Sequence, residues 1–157
     1  MGDRKTPRKP AVNTAEHGAD KHLPSIRPPT LILASASPRR LALMKQIGLT
    51  PDEVDPADID ESTKSNELPR DIAKRLAFEK ASAVMARHPG TFLLSADTVV
   101  AVGRRALGKA ETEDEAYAFL KLLSGRRHQV HTGITLVTPT TNIISRVVTT
   151  AVIFKHL

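Results

Sequence analysis

The chain has 157 residues, of which 40% are hydrophobic and only 3% aromatic, and it contains no cysteine. This length suffices for one domain with an aliphatic core, and the absence of cysteine excludes disulfides, thiolate metal sites and a cysteine nucleophile. The formal net charge is +6, and residues 1–30 contribute +3 of it. Because the remainder is only mildly basic, the charge does not favour nucleic acid as a partner.

The N-terminal segment differs from the rest of the chain in composition. Residues 1–29 contain five prolines, several charges and no periodic apolar pattern. This predicts a disordered, basic, proline-rich extension over residues 1–29, followed by one domain over residues 30–157. No apolar stretch approaches the ~20 residues of a membrane span, and charges and prolines replace the apolar segment of a signal peptide. We therefore expect a cytoplasmic protein without membrane contact.

The first predicted elements are a buried strand, a tight turn and a helix. Residues 30–34 are almost entirely apolar, Ser37 is a suitable N-cap, and Pro38 suits the first helical position. Arg39 and Arg40 follow at once. A helix N-terminus with hydroxyls and two arginines suits an anionic ligand, phosphate above all. An ordinary N-cap followed by two solvated arginines explains the same pattern equally well.

A polar, acidic segment over residues 50–68 comes next and is expected to be loop or weakly extended. Glu61 within it is most simply a solvated charge. A second helix is predicted over about residues 70–88, and Lys80 lies on its apolar stripe. The commoner outcome for such a lysine is a side chain that follows the helix surface to water. The alternative is an inward ammonium group paired with a carboxylate or a phosphate.

Asp97 lies inside an apolar segment that predicts a strand, bounded by Pro89-Gly90 and Gly103. An ionised carboxylate out of water needs a partner or a metal, or it takes up a proton. Asp97 is therefore either paired for structural reasons or placed for chemistry. Chemistry is favoured, because buried acids are rare and cluster at functional sites.

The remaining pattern predicts a hairpin, a loop, a helix and two further β segments. Lys109 falls in the loop and is expected to be exposed, and a capping box at Thr112 begins the helix. The β segments cover about residues 129–138 and 142–154. Helices interleaved with strands indicate an α/β architecture. Zinc-ligand, Walker-loop and nucleophile-elbow patterns are absent. A carboxylate among several cations suggests phosphoryl or nucleotidyl chemistry with a hard divalent metal.

Six stretches of the sequence, taken together and in this order, resemble the Maf family of nucleoside triphosphate pyrophosphatases. They are Leu-Ala-Ser-Ala-Ser-Pro-Arg-Arg at 33–40, Asp-Glu at 60–61, Arg-Leu-Ala-Phe-Glu-Lys-Ala at 75–81, Ser-Ala-Asp-Thr-Val-Val at 95–100, Leu-Gly-Lys at 107–109, and Leu-Ser-Gly-Arg-Arg-His-Gln-Val-His-Thr-Gly at 123–133. The resemblance implies a mixed, twisted α/β sheet with flanking helices, shared with inosine-triphosphate-type pyrophosphatases. It also implies hydrolysis of a nucleoside triphosphate between the α and β phosphates.

The resemblance implies roles for individual residues as well. Asp97 matches the family's proton acceptor, and with Glu61 it could instead hold Mg²⁺ or Mn²⁺; the two roles of Asp97 remain alternatives. The positions that match substrate-binding residues are Ser37, Arg39, Arg40, Lys80, Thr98 and Lys109. The sequences Pro-Arg-Arg and Asp-Thr resemble the branch that acts on dTTP and UTP rather than the branch that acts on 7-methyl-GTP.

Two departures from the family pattern affect these expectations. Ala110 stands where the family usually has proline. The chain also stops before the family's Tyr-Gly-Ile-Gln-like segment and closing helix, so we expect a domain whose C-terminal part is missing. Its last β segments would leave an uncovered sheet face or edge that favours a homodimer. The alternative to an active enzyme is a catalytically weak or inactive truncated relative with a binding or regulatory role in septum formation.

Overall fold

A computed structural model describes residues 29–157. The extension predicted over residues 1–29 therefore lies, apart from its last residue, outside the described residues. Within the described part, three helices and six strands follow one another in the order β1 (Leu31–Leu33), α1 (Pro38–Gln46), β2 (Glu53–Val54), α2 (Pro69–Met85), β3 (Phe92–Val102), β4 (Arg105–Leu107), α3 (Glu113–Leu123), β5 (Arg127–Val137) and β6 (Ile143–Ile153). None of these helices is both long enough and apolar enough to cross a membrane.

The six strands form one mixed sheet, which confirms the predicted fold class. Its order is β2-β1-β3-β5-β6, and β4 also pairs with β3. The pairings of β1 with β2 and β3 are parallel, whereas β3, β4, β5 and β6 pair antiparallel. Because β5 occupies one edge of β3, β1 and β4 share the other edge. β1 pairs with residues 92–94 and β4 with residues 100–102, so neither strand covers residues 95–99 between them.

The core lies between α2 and one face of this sheet. Alternate residues of β3 from Leu93 to Ala101 are buried, as expected for a strand with one face packed on a helix. The buried face of α2 follows a helical spacing, and its members are Ile72, Ala73, Leu76, Ala77, Lys80, Ala81 and Val84. Two charged residues, Lys80 and Asp97, therefore lie within a largely apolar interface.

The helix ends largely follow the predicted capping chemistry. The Thr112 hydroxyl accepts a hydrogen bond from Glu115 N at 3.2 Å, as in a capping box, although the Glu115 carboxylate accepts from Glu111 N rather than from Thr112 N. At α1, Ser37 is the N-cap through its carbonyl, which accepts from Arg40 N at 3.1 Å, whereas its hydroxyl makes no capping bond. The Ser37 hydroxyl is therefore available for another partner.

Asp55, which follows β2, joins that strand to the C-terminal end of α2. Its carboxylate accepts hydrogen bonds from Arg87 Nε at 2.8 Å and Arg87 Nη2 at 2.9 Å, and its Oδ2 lies 2.8 Å from His88 Nε2. The bonds from Arg87 and His88 lower the pKa of Asp55 to about 2. This contact fixes the start of the acidic loop that leads from β2 to α2.

We expect an NMR titration of the folded protein to give an Asp55 pKa of about 2, and Arg87→Ala to move this pKa towards its ordinary value. A carboxyl with a depressed folded pKa stabilises the fold above its unfolded pKa, so this contribution is lost as the pH falls from about 4 towards 2. Arg104→Ala removes an exposed arginine elsewhere and serves as the control. An Asp55 pKa that is identical in the wild type and in Arg87→Ala would contradict the assignment.

Candidate functional site

The candidate site lies beside the uncovered edge of β3, where several elements converge. β1 ends there and passes into the N-terminus of α1. The loop between β2 and α2 supplies Glu61, α2 supplies Lys80, and Lys109 follows β4. Asp97 lies at the centre of β3, at the level of the gap between β1 and β4. Residues distant in sequence are thus brought together by the sheet topology.

A buried ion pair forms the centre of the site. Lys80 Nζ donates to Asp97 Oδ1 at 2.6 Å and lies 2.9 Å from Glu61 Oε1. Lys80 is 8% exposed and Asp97 7% exposed. The structure therefore shows the inward alternative for Lys80 rather than the commoner one in which it reaches water. Glu61, for which a solvated charge was the simplest expectation, is exposed but also contacts the same ammonium group.

The geometry leaves one oxygen of Asp97 free of protein donors. Lys80 binds Oδ1, and no described residue donates a hydrogen bond to Oδ2. This oxygen is not enclosed either, because the only fully buried, unbonded side-chain nitrogen or oxygen in the described part is Nδ1 of His128. Asp97 Oδ2 is therefore positioned to accept a proton or to bind a cation from the site.

Glu61 is held near Lys80 by an ionic network at the N-terminal half of α2. Arg75 donates from Nε to Glu67 at 2.6 Å, from Nη1 to Glu79 at 2.9 Å and from Nη2 to the Ser62 carbonyl at 3.0 Å. The bonds to Glu67, above all, raise the pKa of Arg75. Since Ser62 directly follows Glu61, Arg75 ties the acidic loop to the helix that carries Lys80. Sequence analysis did not single out Arg75, although its spacing of four residues from Glu79 was a visible signal.

Arg40 approaches the two carboxylates from α1. Its Nη1 donates to Ser35 Oγ at 2.7 Å, and the same oxygen accepts from Ser37 N at 3.3 Å. Burial lowers the pKa of Arg40, while the charges of Asp97 and Glu61 act in the opposite direction. The hydrogen bond from Lys80, supplemented by the charges of Lys109 and Arg40, lowers the pKa of Glu61. Ser35, one of the two hydroxyl residues of the turn between β1 and α1, thus orients one of the site's arginines.

The other predicted residues surround this centre less closely. Ser37 is half-buried at the start of α1, and Arg39 and Lys109 are exposed. Lys109 is nevertheless near enough to Glu61 to act on its charge. Thr98 is exposed, and because successive side chains of a strand alternate, it lies on the sheet face opposite Asp97. Its hydroxyl lies 3.4 Å from that of Thr132. The structure therefore does not bring Thr98 into contact with the ion pair.

The donor set is compatible with a divalent metal that also binds phosphate. No group of three or more His, Asp or Glu residues that could hold an ion by itself occurs in residues 29–157. Asp97 and Glu61, which meet at Lys80, provide two carboxylates. Mg²⁺ usually binds one or two carboxylates together with substrate phosphates, so a pair suffices.

The charges around the centre indicate an anionic ligand. Lys80 contacts both carboxylates, the charges of Arg40 and Lys109 act on Glu61, and exposed Arg39 directly precedes Arg40 in α1. The N-terminus of α1 adds the unbonded backbone N–H of Arg39 and a partial positive charge. An anion with several charges, such as a polyphosphate, would be stabilised by this arrangement, and Asp97 Oδ2 supplies a base or a metal ligand beside it.

Comparisons with known proteins agree with this chemistry. A family model described as "Maf-like protein" matches residues 30–157. The chain is 60% identical over 129 residues to a dTTP/UTP pyrophosphatase of Caulobacter vibrioides, covering 82% of this chain and 67% of that protein. It is 55% identical over 127 residues to a dTTP/UTP pyrophosphatase of Rhodospirillum rubrum, covering 81% of this chain and 60% of that protein. The chain thus spans about two thirds of the length of such relatives.

Solved structures with the same fold have much lower sequence identity. The Ham1 protein of Staphylococcus aureus aligns with a TM-score of 0.54 at 17% identity, covering 78% of this chain and 70% of that one. A HAM1 protein of Coxiella burnetii aligns with a TM-score of 0.50 at 18% identity, covering 78% and 71%. At this level of identity the two likenesses establish a shared fold.

Proposed function

Because the chain belongs to the Maf family, we propose that it is a nucleoside triphosphate pyrophosphatase that cleaves the bond between the α and β phosphates. The products are a nucleoside monophosphate and pyrophosphate. The observation that carries the proposal is the buried Lys80–Asp97 pair, with one carboxylate oxygen of Asp97 open to a site rich in cations. The names of the relatives, which are dTTP/UTP pyrophosphatases, support the same reaction and favour dTTP or UTP as substrate.

Substrate binding follows from the arrangement of the cations. The triphosphate would lie between the N-terminus of α1 and Lys109, where Ser37, Arg39 and Arg40 face it. Pyrophosphate carries a high negative charge as it departs, so fixed cations that neutralise this charge lower the barrier. Arg40 is the best placed of them because Ser35 Oγ already fixes its guanidinium group.

Asp97 would act on the attacking water. Lys80 holds Oδ1 at 2.6 Å and so restricts rotation of the carboxylate, and Oδ2 beside it is neither bonded by a described residue nor enclosed. From there, Oδ2 could accept the proton of a water molecule that attacks the α phosphorus. A base fixed by a second group loses little entropy in the transition state, and general bases of this kind contribute rate factors of about 10² to 10⁴.

We further propose that the enzyme uses Mg²⁺ or Mn²⁺, which Asp97 and Glu61 would hold. When bound, the ion would supply charge stabilisation for the phosphates and a lower pKa for a coordinated water. Asp97 then serves as metal ligand, as base, or as both in succession. A cytoplasmic location is part of this proposal, since nucleoside triphosphates are its substrates.

The proposal predicts a specific pattern in a nucleotide panel. We expect pyrophosphate release from dTTP and UTP in preference to 7-methyl-GTP, with the nucleoside monophosphate as the second product. A diphosphate and inorganic phosphate would instead indicate cleavage at the γ phosphate. EDTA should abolish turnover, and excess Mg²⁺ or Mn²⁺ should restore it. A chain that is folded but inactive on every nucleotide would contradict the proposal and support a non-catalytic relative with a binding or regulatory role.

A further inference from the structure

We propose that Gly133 and Ser95 are positioning residues that set the distance between α2 and the sheet. At this distance, Lys80 reaches Asp97 and Glu61. Neither residue contacts the ion pair through its own side chain. Each instead fixes a turn of the helix that carries Lys80. The kinetic consequence rests on the proposed function, whereas the geometric consequence can be measured in a protein without activity.

Gly133 lies directly opposite Asp97 in the pairing of β3 with β5. A methyl group at this position would overlap the carbonyl of Ala73 in α2 and would lie 3.0 Å from Lys74 N. Its backbone does not require the left-handed conformation that favours glycine, since four other glycines of residues 29–157, but not this one, have a positive φ. Glycine is therefore needed here for space, because the backbone of α2 rests directly on the backbone of β5.

Ser95 fixes the next turn of the same helix. It is fully buried, and its hydroxyl donates to the carbonyl of Ala77 at 2.5 Å. Ala77 lies four residues after Ala73 on the same helical face, so two successive turns of α2 touch the sheet through their carbonyl groups. Ser95 also precedes Asp97 by two residues, which places both side chains on the same face of β3.

The distance between α2 and the sheet matters because the length of the Lys80 side chain is fixed. Lys80 lies three residues after Ala77, and helical side chains lean towards the helix N-terminus, so its ammonium group reaches back towards Asp97. The resulting distances are 2.6 Å to Asp97 and 2.9 Å to Glu61. Accommodating a methyl group on Gly133 requires a movement of α2 on the order of 1 Å, because packed interiors have no free volume for it. A misplacement of about 1 Å in a catalytic group can lower a rate by roughly 10²-fold.

Ordinary core packing is the competing explanation, so the test compares Gly133→Ala with a variant that disturbs the same interface elsewhere. Val137→Ala is the matched control. Val137 belongs to the same strand and the same sheet face, is 4% exposed, and packs near Val84 at the other end of α2. Both variants should lower the melting temperature, and kinetics are compared at a temperature at which both are fully folded.

We expect Gly133→Ala to lower kcat for pyrophosphate release by at least about 30-fold, whereas Val137→Ala stays within about twofold of wild type. Ser95→Ala adds no bulk and should lower kcat by several-fold. It is the deciding variant if Gly133→Ala does not fold. Equal kcat in the positioning variants and in Val137→Ala would overturn the proposal.

Lysine acetylation measured by mass spectrometry provides the readout that does not depend on activity. Lys80, buried and paired in the wild type, should react several-fold faster in Gly133→Ala and Ser95→Ala than in Val137→Ala. Exposed Lys45 is the internal reference and should react equally in all proteins. Unchanged labelling of Lys80 in folded positioning variants would overturn the proposal. If the wild type hydrolyses no nucleotide, the proposed function fails while the labelling still decides the positioning roles.

Discussion

Replacement of Asp97 with Asn is expected to lower kcat for pyrophosphate release by roughly 10³-fold, within the range that general bases contribute. Asn retains the shape of the side chain but cannot accept a proton from water and is a poor ligand for a divalent cation. The expected loss is therefore the same whether Asp97 acts as base or as metal ligand. Pyrophosphate release with dTTP or UTP at saturating metal measures it directly.

The stability of Asp97→Asn separates a chemical role from a structural one. A buried acid without a partner could be removed at no cost, but Asp97 is paired, so the substitution takes one of two carboxylates from Lys80. Glu61 remains as the second partner at 2.9 Å, and we expect only a small fall in melting temperature. Asp114→Asn, on the exposed surface of α3, is the control for the effect of replacing an aspartate with asparagine outside the site. Near-full turnover in Asp97→Asn would show that Asp97 is structural.

Replacement of Lys80 with Met should impair both activity and stability. The ammonium group is buried between Asp97 and Glu61, and its removal leaves these two carboxylates close together without the cation that contacts both. Breaking a buried pair on one side costs about 3 kcal/mol, which corresponds to roughly 10 °C in melting temperature for a domain of this size. Turnover should fall as well, because Asp97 loses the group that orients it. Lys74→Met, on the exposed face of the same helix, is the control.

The pH dependence of the stability of Lys80→Met identifies why this variant is less stable than the wild type. In the wild type, the hydrogen bond from Lys80 is the main reason why the pKa of Glu61 is low. This depressed pKa stabilises the folded state above the ordinary glutamate value of about 4.3 and ceases to do so as the pH falls. We therefore expect the Glu61 pKa to rise in Lys80→Met, and the stability gap to the wild type to narrow below about pH 4. A stability difference between the two proteins that does not depend on pH would instead indicate that lost packing causes the instability.

The fold was largely predictable because its signals are local. Apolar strands punctuated by glycine and proline, the capping box at Thr112 and the stripe of α2 each depend on a few neighbouring residues. The partners within the site are not local. For Lys80, the pattern allowed either an inward or a solvated ammonium group, and the choice depends on where Asp97 and Glu61 lie in three dimensions. The alternation of side chains along a strand does predict that Thr98 and Asp97 lie on opposite faces of the sheet. The family resemblance, in contrast, counts both as site residues.

The partner that Gly133 contacts on α2 left no signal in the sequence. Glycine inside a strand pattern indicates a bulge or a close approach, without naming the partner. The partner here is the backbone at Ala73, about sixty residues earlier in the chain. Contacts between main chains carry no side-chain pattern at all, so only the assembled fold reveals them.

The gap between β1 and β4 on the edge of β3 has a consequence for how the site responds to mutation. Along this edge, the backbone groups of Ala96 and Thr98 point away from β5, and neither β1 nor β4 pairs with them. Their N–H and C=O groups thus lie at the gap beside the site as hydrogen-bonding positions that no substitution other than one to proline can remove. The order and lengths of the strands therefore supply part of the polar surface of the site. Substitutions of the surrounding side chains would leave this part in place, provided that β1 and β4 still end at the same residues.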